Sequence, residues 1–160
     1  MKIAVIGIGQ SLRGDDAIGL KAVHQWMDRF PETASRSEIQ VDTSELPGLT
    51  LLDMLEGAQA AVLVDAIECV TIPGTIHSLN PEQLSSFTTD AKSAHGWGVA
   101  ETLRLDKMLN PSRKKIPIQL IGIEVGQVGM GSGLSKSVEQ ALPLVCEAIQ
   151  KEVQTFLVSV

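Results

Sequence analysis

The sequence predicts an α/β fold in one domain spanning residues 1–160, a largely parallel sheet covered by helices on both faces. Three observations predict it. Short segments rich in Val and Ile, bounded by turn residues, have the character of buried strands. Between them lie stretches whose apolar residues recur at helical spacing. The two kinds alternate along the chain, which is the pattern of βα units rather than of a sandwich.

The strands are "KIAVIGI" (Lys2 to Ile8), "EIQVDT" (Glu38 to Thr43), "AAVLVDAI" (Ala60 to Ile67), "GTIHSL" (Gly74 to Leu79) and "IPIQLIGIEV" (Ile116 to Val125). The first helix is "DAIGLKAVHQWMDRF", with Ile18, Ala22, Trp26 and Phe30 four residues apart. A short helix in "LTLLDMLEG" stops at Gly57, and "GVAETLRLDKML" stops at Asn110-Pro111. The last helix aligns Val138, Leu142, Val145, Ile149, Val153 and Phe156 on one stripe, with a kink or late start expected at Pro143 and a cap at Ser135.

Composition narrows the function. Apolar residues make up 44% of the chain and charged residues 20%, enough for a single core. A net charge of -6 with no Lys/Arg stripe argues against a nucleic-acid partner; "SRKKIP" (Ser112 to Pro117) reads as a solvated loop. The apolar N-terminal run is too short for a signal peptide, and no run reaches the roughly 18 to 20 apolar residues of a membrane span. Cys69 and Cys146 lack CxxC spacing and read as reduced, packed thiols. The expectation is a cytoplasmic, monomeric protein that acts on neither membranes nor nucleic acids.

In such sheets ligands gather beyond the carboxyl ends of strands, so the site draws on residues after Ile8, Val41, Val64 and Val125. "VIGIGQSLRGDDAIG" (Val5 to Gly19) starts as a dinucleotide loop would, with Gly7 and Gly9 in a tight turn. Leu12, however, takes the place of the third glycine, and Asp15 and Asp16 put negative charge where a phosphate would dock. One reading makes Asp15 a helix cap and Asp16 a first-turn acid; the other makes the helix start a cation site. Asp65, in the apolar strand "VLVDAIE", is costly to bury unless it is paired or binds a cation, or else it caps the next turn. Asp42 in "VDTSE" repeats that signal. In "SAHGWG", His95 stands between small residues, and Gly96 leaves room for a ligand; His24 and His77 read as helix surface and strand face. Two carboxylates and an imidazole suit Ni, Zn or Mn better than Ca. Gly9, Gln10, Asp42 and Gly96 are the expected substrate contacts around them, and the Gly-rich stretch Gly126 to Gly133 is either a clasp for the substrate or an ordinary connection.

"GIGQSLRGDDAIG", "VDAI…PGT" (Val64 to Thr75), "SAHGWGVAETL" (Ser93 to Leu103) and "GIEV…GLSKSVEQAL" together resemble the hydrogenase maturation proteases, in order and over nearly the whole chain. The resemblance implies a three-layer sandwich with a twisted five-stranded sheet. It also implies an endopeptidase that removes the C-terminal extension of a nickel–iron hydrogenase large-subunit precursor after nickel insertion. The nickel-recognition residues become Asp16, Asp65 and His95, with the nickel carried by the precursor rather than held by the protease. Asp16 and Asp65 are then metal ligands or general base, roles the sequence does not separate. Gln10 departs from the Asn frequent in the family, a difference that would fit a subclass such as that serving bidirectional, NAD-linked hydrogenases.

No His-Glu-x-x-His helix and no Gly-x-Ser-x-Gly elbow is present, and Cys69 as a thiol nucleophile is disfavoured against a structural cysteine. A non-catalytic, metal-sensing maturation chaperone is the alternative from another class; an NAD-binding enzyme is disfavoured by Leu12 and the two aspartates.

Overall fold

A computed structural model describes residues 1–45, 48–68, 71–83, 92–93, 98–112, 115–126, 128–131 and 133–159. Its strands are β1 (Ile3–Ile8), β2 (Ile39–Ser44), β3 (Ala60–Glu68), β4 (Ile76–Leu79), β5 (Lys92–Ser93) and β6 (Ile118–Glu124). Its helices are α1 (Ile18–Arg29), α2 (Pro31–Ala34), α3 (Leu49–Met54), α4 (Val99–Leu109) and α5 (Lys136–Ser159), with a 3-10 turn at Gly14–Ala17. No helix among the described residues is long and apolar enough to cross a membrane.

Five strands form the sheet in the order β2-β1-β3-β6-β4, and the two-residue β5 adds a sixth against the end of β3. The pairs β1–β2, β1–β3 and β3–β6 are parallel; β4 is antiparallel to β6 and closes one edge. This is the expected mostly parallel α/β architecture. The chain leaves β1 for β2 on one side and places β3 on the other. The strand order therefore reverses between β1 and β3, where such sheets open a crevice at their carboxyl edge.

Side chains alternate across the sheet and make two cores. Val5, Val62, Val64, Ile121 and Ile123 face α1 and α5, meeting Ile18, Ala22, Trp26, Val145 and Ile149. Ala4, Ile6, Ile8, Ala61, Leu63 and Leu120 face α3 and α4, meeting Leu51, Val99 and Ala100. Fully burying each large apolar side chain contributes roughly 1.5–3 kcal/mol, so both helical layers are held mainly by these stripes. Trp26 is buried whole, and its indole N–H donates to Gln150 Oε1 at 2.9 Å, which solves the problem of its one polar atom.

Of the two outcomes expected at Pro143, the late start is not found, because Pro143 lies inside α5 rather than at its start. Pro143 cannot donate to the carbonyl of Glu139, but both residues are exposed, so that carbonyl is open to water. Gly19 carries the close helix–strand approach that a dinucleotide loop assigns to its third glycine. An added Cβ at Gly19 would stand 2.1 Å from the Ile8 carbonyl oxygen and 2.4 Å from that of Val64. The first turn of α1 thus rests on the ends of β1 and β3. Gly7 lies within β1 rather than in a turn.

Candidate active site

Asp16 reaches the carboxyl edge through the 3-10 turn that follows β1 and is fully buried. Its backbone carbonyl accepts the Gln10 N–H at 3.1 Å, and an added Cβ at Gly9 would lie 2.2 Å from the same oxygen. Gly9 is needed because the turn folds back onto the strand end. Gln10 also donates its side-chain amide to the Glu45 carbonyl at 3.4 Å, and Ser11 N–H donates to Glu45 Oε1 at 2.7 Å. Hydrogen bonds from Ser11 hold the Glu45 carboxyl below its ordinary range.

Asp65 sits on β3 at 4% exposure, opposite Gly122 of β6. It lies inside β3, which runs to Glu68, one residue past the expected end at Ile67, sustained by β6 and β5. Pairing with β1, however, stops at Gly7↔Val64, so on that side Asp65 lies just beyond the last rung. The fold therefore brings both aspartates to the point where the strand order reverses.

Asp42 lies inside β2, which runs to Ser44, one residue past the expected end at Thr43. It is half-buried on the edge strand and accepts the Gln40 side-chain amide at 2.7 Å. His95, Gly96 and Cys69 lie outside the described residues. Among the described residues, no three His, Cys, Asp or Glu side chains group so as to hold a metal ion. Cys146 is buried, with burial pushing its thiol pKa up.

Asp15 is not the cap of α1. Neither the 3-10 turn nor α1 has a side-chain cap; the fully buried Asp15 reaches instead across the crevice. It accepts the Gly126 N–H at 3.0 Å, the Ser135 N–H at 2.5 Å and the Ser135 hydroxyl at 2.7 Å. Ser135 still starts α5, its carbonyl accepting the Glu139 N–H, but its hydroxyl is turned to Asp15. Gly131 N–H donates to the Leu12 carbonyl at 2.9 Å. The Gly-rich stretch after β6 is thereby tied to the loop that carries Asp16.

One acid escaped the sequence reading. Glu124, at the end of β6, is 1% exposed, and its Oε1 meets His77 Nε2 at 2.9 Å. The signal was there: "LIGIE" ends an apolar strand in a carboxylate as "VLVDAIE" carries one. His77 is on the strand face as expected, but it has a buried partner.

Comparison with known proteins agrees with this architecture. A family model described as "Hydrogenase maturation protease" matches residues 46–152, a span that includes Asp65, His77 and Glu124 and leaves Asp16 outside. The hydrogenase 2 maturation protease of Escherichia coli K12 is 25% identical over 150 residues, covering 93% of this chain and 88% of that protein. The hydrogenase expression/formation protein HupD of Thiocapsa roseopersicina is 29% identical over 124 residues, 77% of this chain; the match spans 54% of that longer relative. In fold, the chain resembles the E. coli hydrogenase maturating endopeptidase at a TM-score of 0.81, with 22% identity over 97% of this chain and 93% of that one. A [NiFe] hydrogenase maturation protease from Thermococcus kodakarensis gives a TM-score of 0.73, with 24% identity over 96% and 99%. The chain belongs to the hydrogenase maturation protease family, a family of peptidases that process hydrogenase precursors.

Proposed function

We propose that this protein is the endopeptidase that cuts the C-terminal extension from a nickel–iron hydrogenase large-subunit precursor once nickel has been inserted. The observation that carries the reading is the pair of buried carboxylates, Asp16 and Asp65, at the carboxyl edge between β1 and β3. Carboxylates taken out of water are stable beside a cation, and a loaded precursor brings one. His95 completes the set in this reading. The chain leading into it supports that assignment, since Ser93 pairs with Ile67, two residues beyond Asp65.

In the reaction, the nickel of the precursor is part of the substrate and is recognised by Asp16, Asp65 and His95. Its capture positions the adjoining scissile amide, converting loose encounter into a fixed geometry. Whichever of Asp16 and Asp65 is not bound to the nickel at that step accepts a proton from the attacking water. Water adds to the carbonyl carbon, the C–N bond breaks, and the departing amine takes up the proton. Gly9, Gln10, Asp42 and Gly96 line the approach in this proposal, and the protein works as a cytoplasmic monomer.

The test is incubation of the chain with nickel-loaded and nickel-free precursor, followed by intact-mass measurement. The reading predicts loss of the extension from the loaded form alone. An unchanged mass with stable binding would instead make the protein a metal-sensing chaperone.

A further inference from the structure

Glu124 has two oxygens in different circumstances. Oε1 meets His77 at 2.9 Å, whereas Oε2 is sealed from solvent and has no hydrogen-bond partner among the described residues. A carboxylate oxygen accepts hydrogen bonds, and an acceptor buried without a donor destabilises the chain that holds it. A tie to His77 alone does not call for this arrangement. Glutamine at the same place would offer His77 one acceptor without burying a charge.

Register places Glu124 beside the site already described. Asp65 and His77 both stand opposite Gly122, on its two sides, so they flank a position that has no side chain. Glu124 lies two residues nearer the carboxyl edge on the same face of β6, opposite Ile67. Diagonal neighbours on one sheet face stand about 7–8 Å apart, which puts Glu124 next to Asp65 along the edge. Ile67 leans over Gly122, 2.9 Å from where a Cβ would be, and supplies an apolar wall between the two acids.

We propose that Glu124 is a substrate-binding residue of the peptidase site, its Oε2 accepting a backbone amide N–H of the precursor. His77 is the positioning residue that holds the carboxylate for this contact. The inference rests on the function proposed above, because a polypeptide substrate is what brings an amide N–H to this edge. Oε2 requires a donor, and the peptide backbone presents one at nearly every residue.

Steady-state cleavage of nickel-loaded precursor by Glu124→Gln tests it. Glutamine that keeps its oxygen on His77 turns an NH2 group toward the substrate N–H, donor against donor. KM should rise about tenfold with kcat within about twofold, the signature of a lost ground-state contact. The thermal midpoint should hold, because loss of the buried charge offsets the exchange of an unpaired acceptor for an unpaired donor. His77→Gln, which leaves the carboxylate in place, should raise KM in the same direction and serves if Glu124→Gln fails to fold. A KM within twofold of the parent in both variants, with parent cleavage intact, overturns the Glu124 assignment alone and leaves a buried water as the Oε2 partner. A fall in kcat at constant KM overturns it in favour of a transition-state role. Failure of the parent chain both to bind and to cleave the precursor overturns the proposed function and this inference with it.

Discussion

Ser135 donates both its backbone N–H and its hydroxyl to the carboxylate of Asp15, at 2.5 and 2.7 Å, across 120 residues of sequence. The contact joins the turn after β1 to the start of α5, and Gly126 adds a third donor from the end of β6. Asp16 is the next residue, so its placement depends on this tie.

Removing that acceptor leaves the Gly126 N–H and both donors of Ser135 without their partner. Asp15→Ala should cost about 3 kcal/mol in urea unfolding, and Ser135→Ala about 1–2 kcal/mol, since hydrogen bonds to charged groups exceed neutral ones. A double-mutant cycle between the two should be clearly non-additive. Independent effects would mean that the tie is not a unit.

Gly19→Ala tests the seat of α1 on the strand ends. The added methyl would fall 2.1 Å from the Ile8 oxygen and 2.4 Å from the Val64 oxygen, and both neighbours are backbone. Neither can swing aside, so the helix must lift. Overpacking of this kind costs about 3 kcal/mol, to be read from the denaturation midpoint. Helix propensity alone would make the substitution stabilising by up to about 1 kcal/mol, so the sign of the change separates the two effects.

Cys146 supplies a pH dependence with a definite direction. Burial raises its thiol pKa above the ordinary 9.0. A folded-state pKa above the unfolded value means that the stabilising contribution is fully present below pH 9.0 and is lost as pH rises toward the folded pKa. Stability should therefore fall from about pH 9 upward, and Cys146→Ala should flatten that limb. Peptide mapping after iodoacetamide treatment at pH 8 should find Cys146 unmodified in the native protein and alkylated in urea.

The strands and helices were legible because they are local patterns. The Val/Ile runs and the Ile18-Ala22-Trp26 and Val138-to-Val153 stripes mark the faces that are buried. What the sequence concealed depends on partners far along the chain. Asp15 looks like a helix cap because it precedes a helix; its donors come from Gly126 and Ser135, which no local rule connects to it. That pairing with β1 stops at Val64, leaving Asp65 just beyond the last rung while β6 and β5 carry β3 on to Glu68, is likewise set by distant strands. The Glu124–His77 pair arises only once β4 lies antiparallel to β6. Of the two candidate aspartates, Asp16 follows β1 in the 3-10 turn, whereas Asp65 lies inside β3, just past its last rung with β1.

The central claim is that Asp16 and Asp65 act together on a nickel-bearing precursor, and amide substitution addresses it directly. Asp16→Asn and Asp65→Asn keep size and shape while removing the charge that a cation or an attacking water needs. Each folded variant, mixed with nickel-loaded precursor and followed by intact mass, should process it at least about 100-fold more slowly than the parent. Full-rate loss of the extension by both variants would contradict the account.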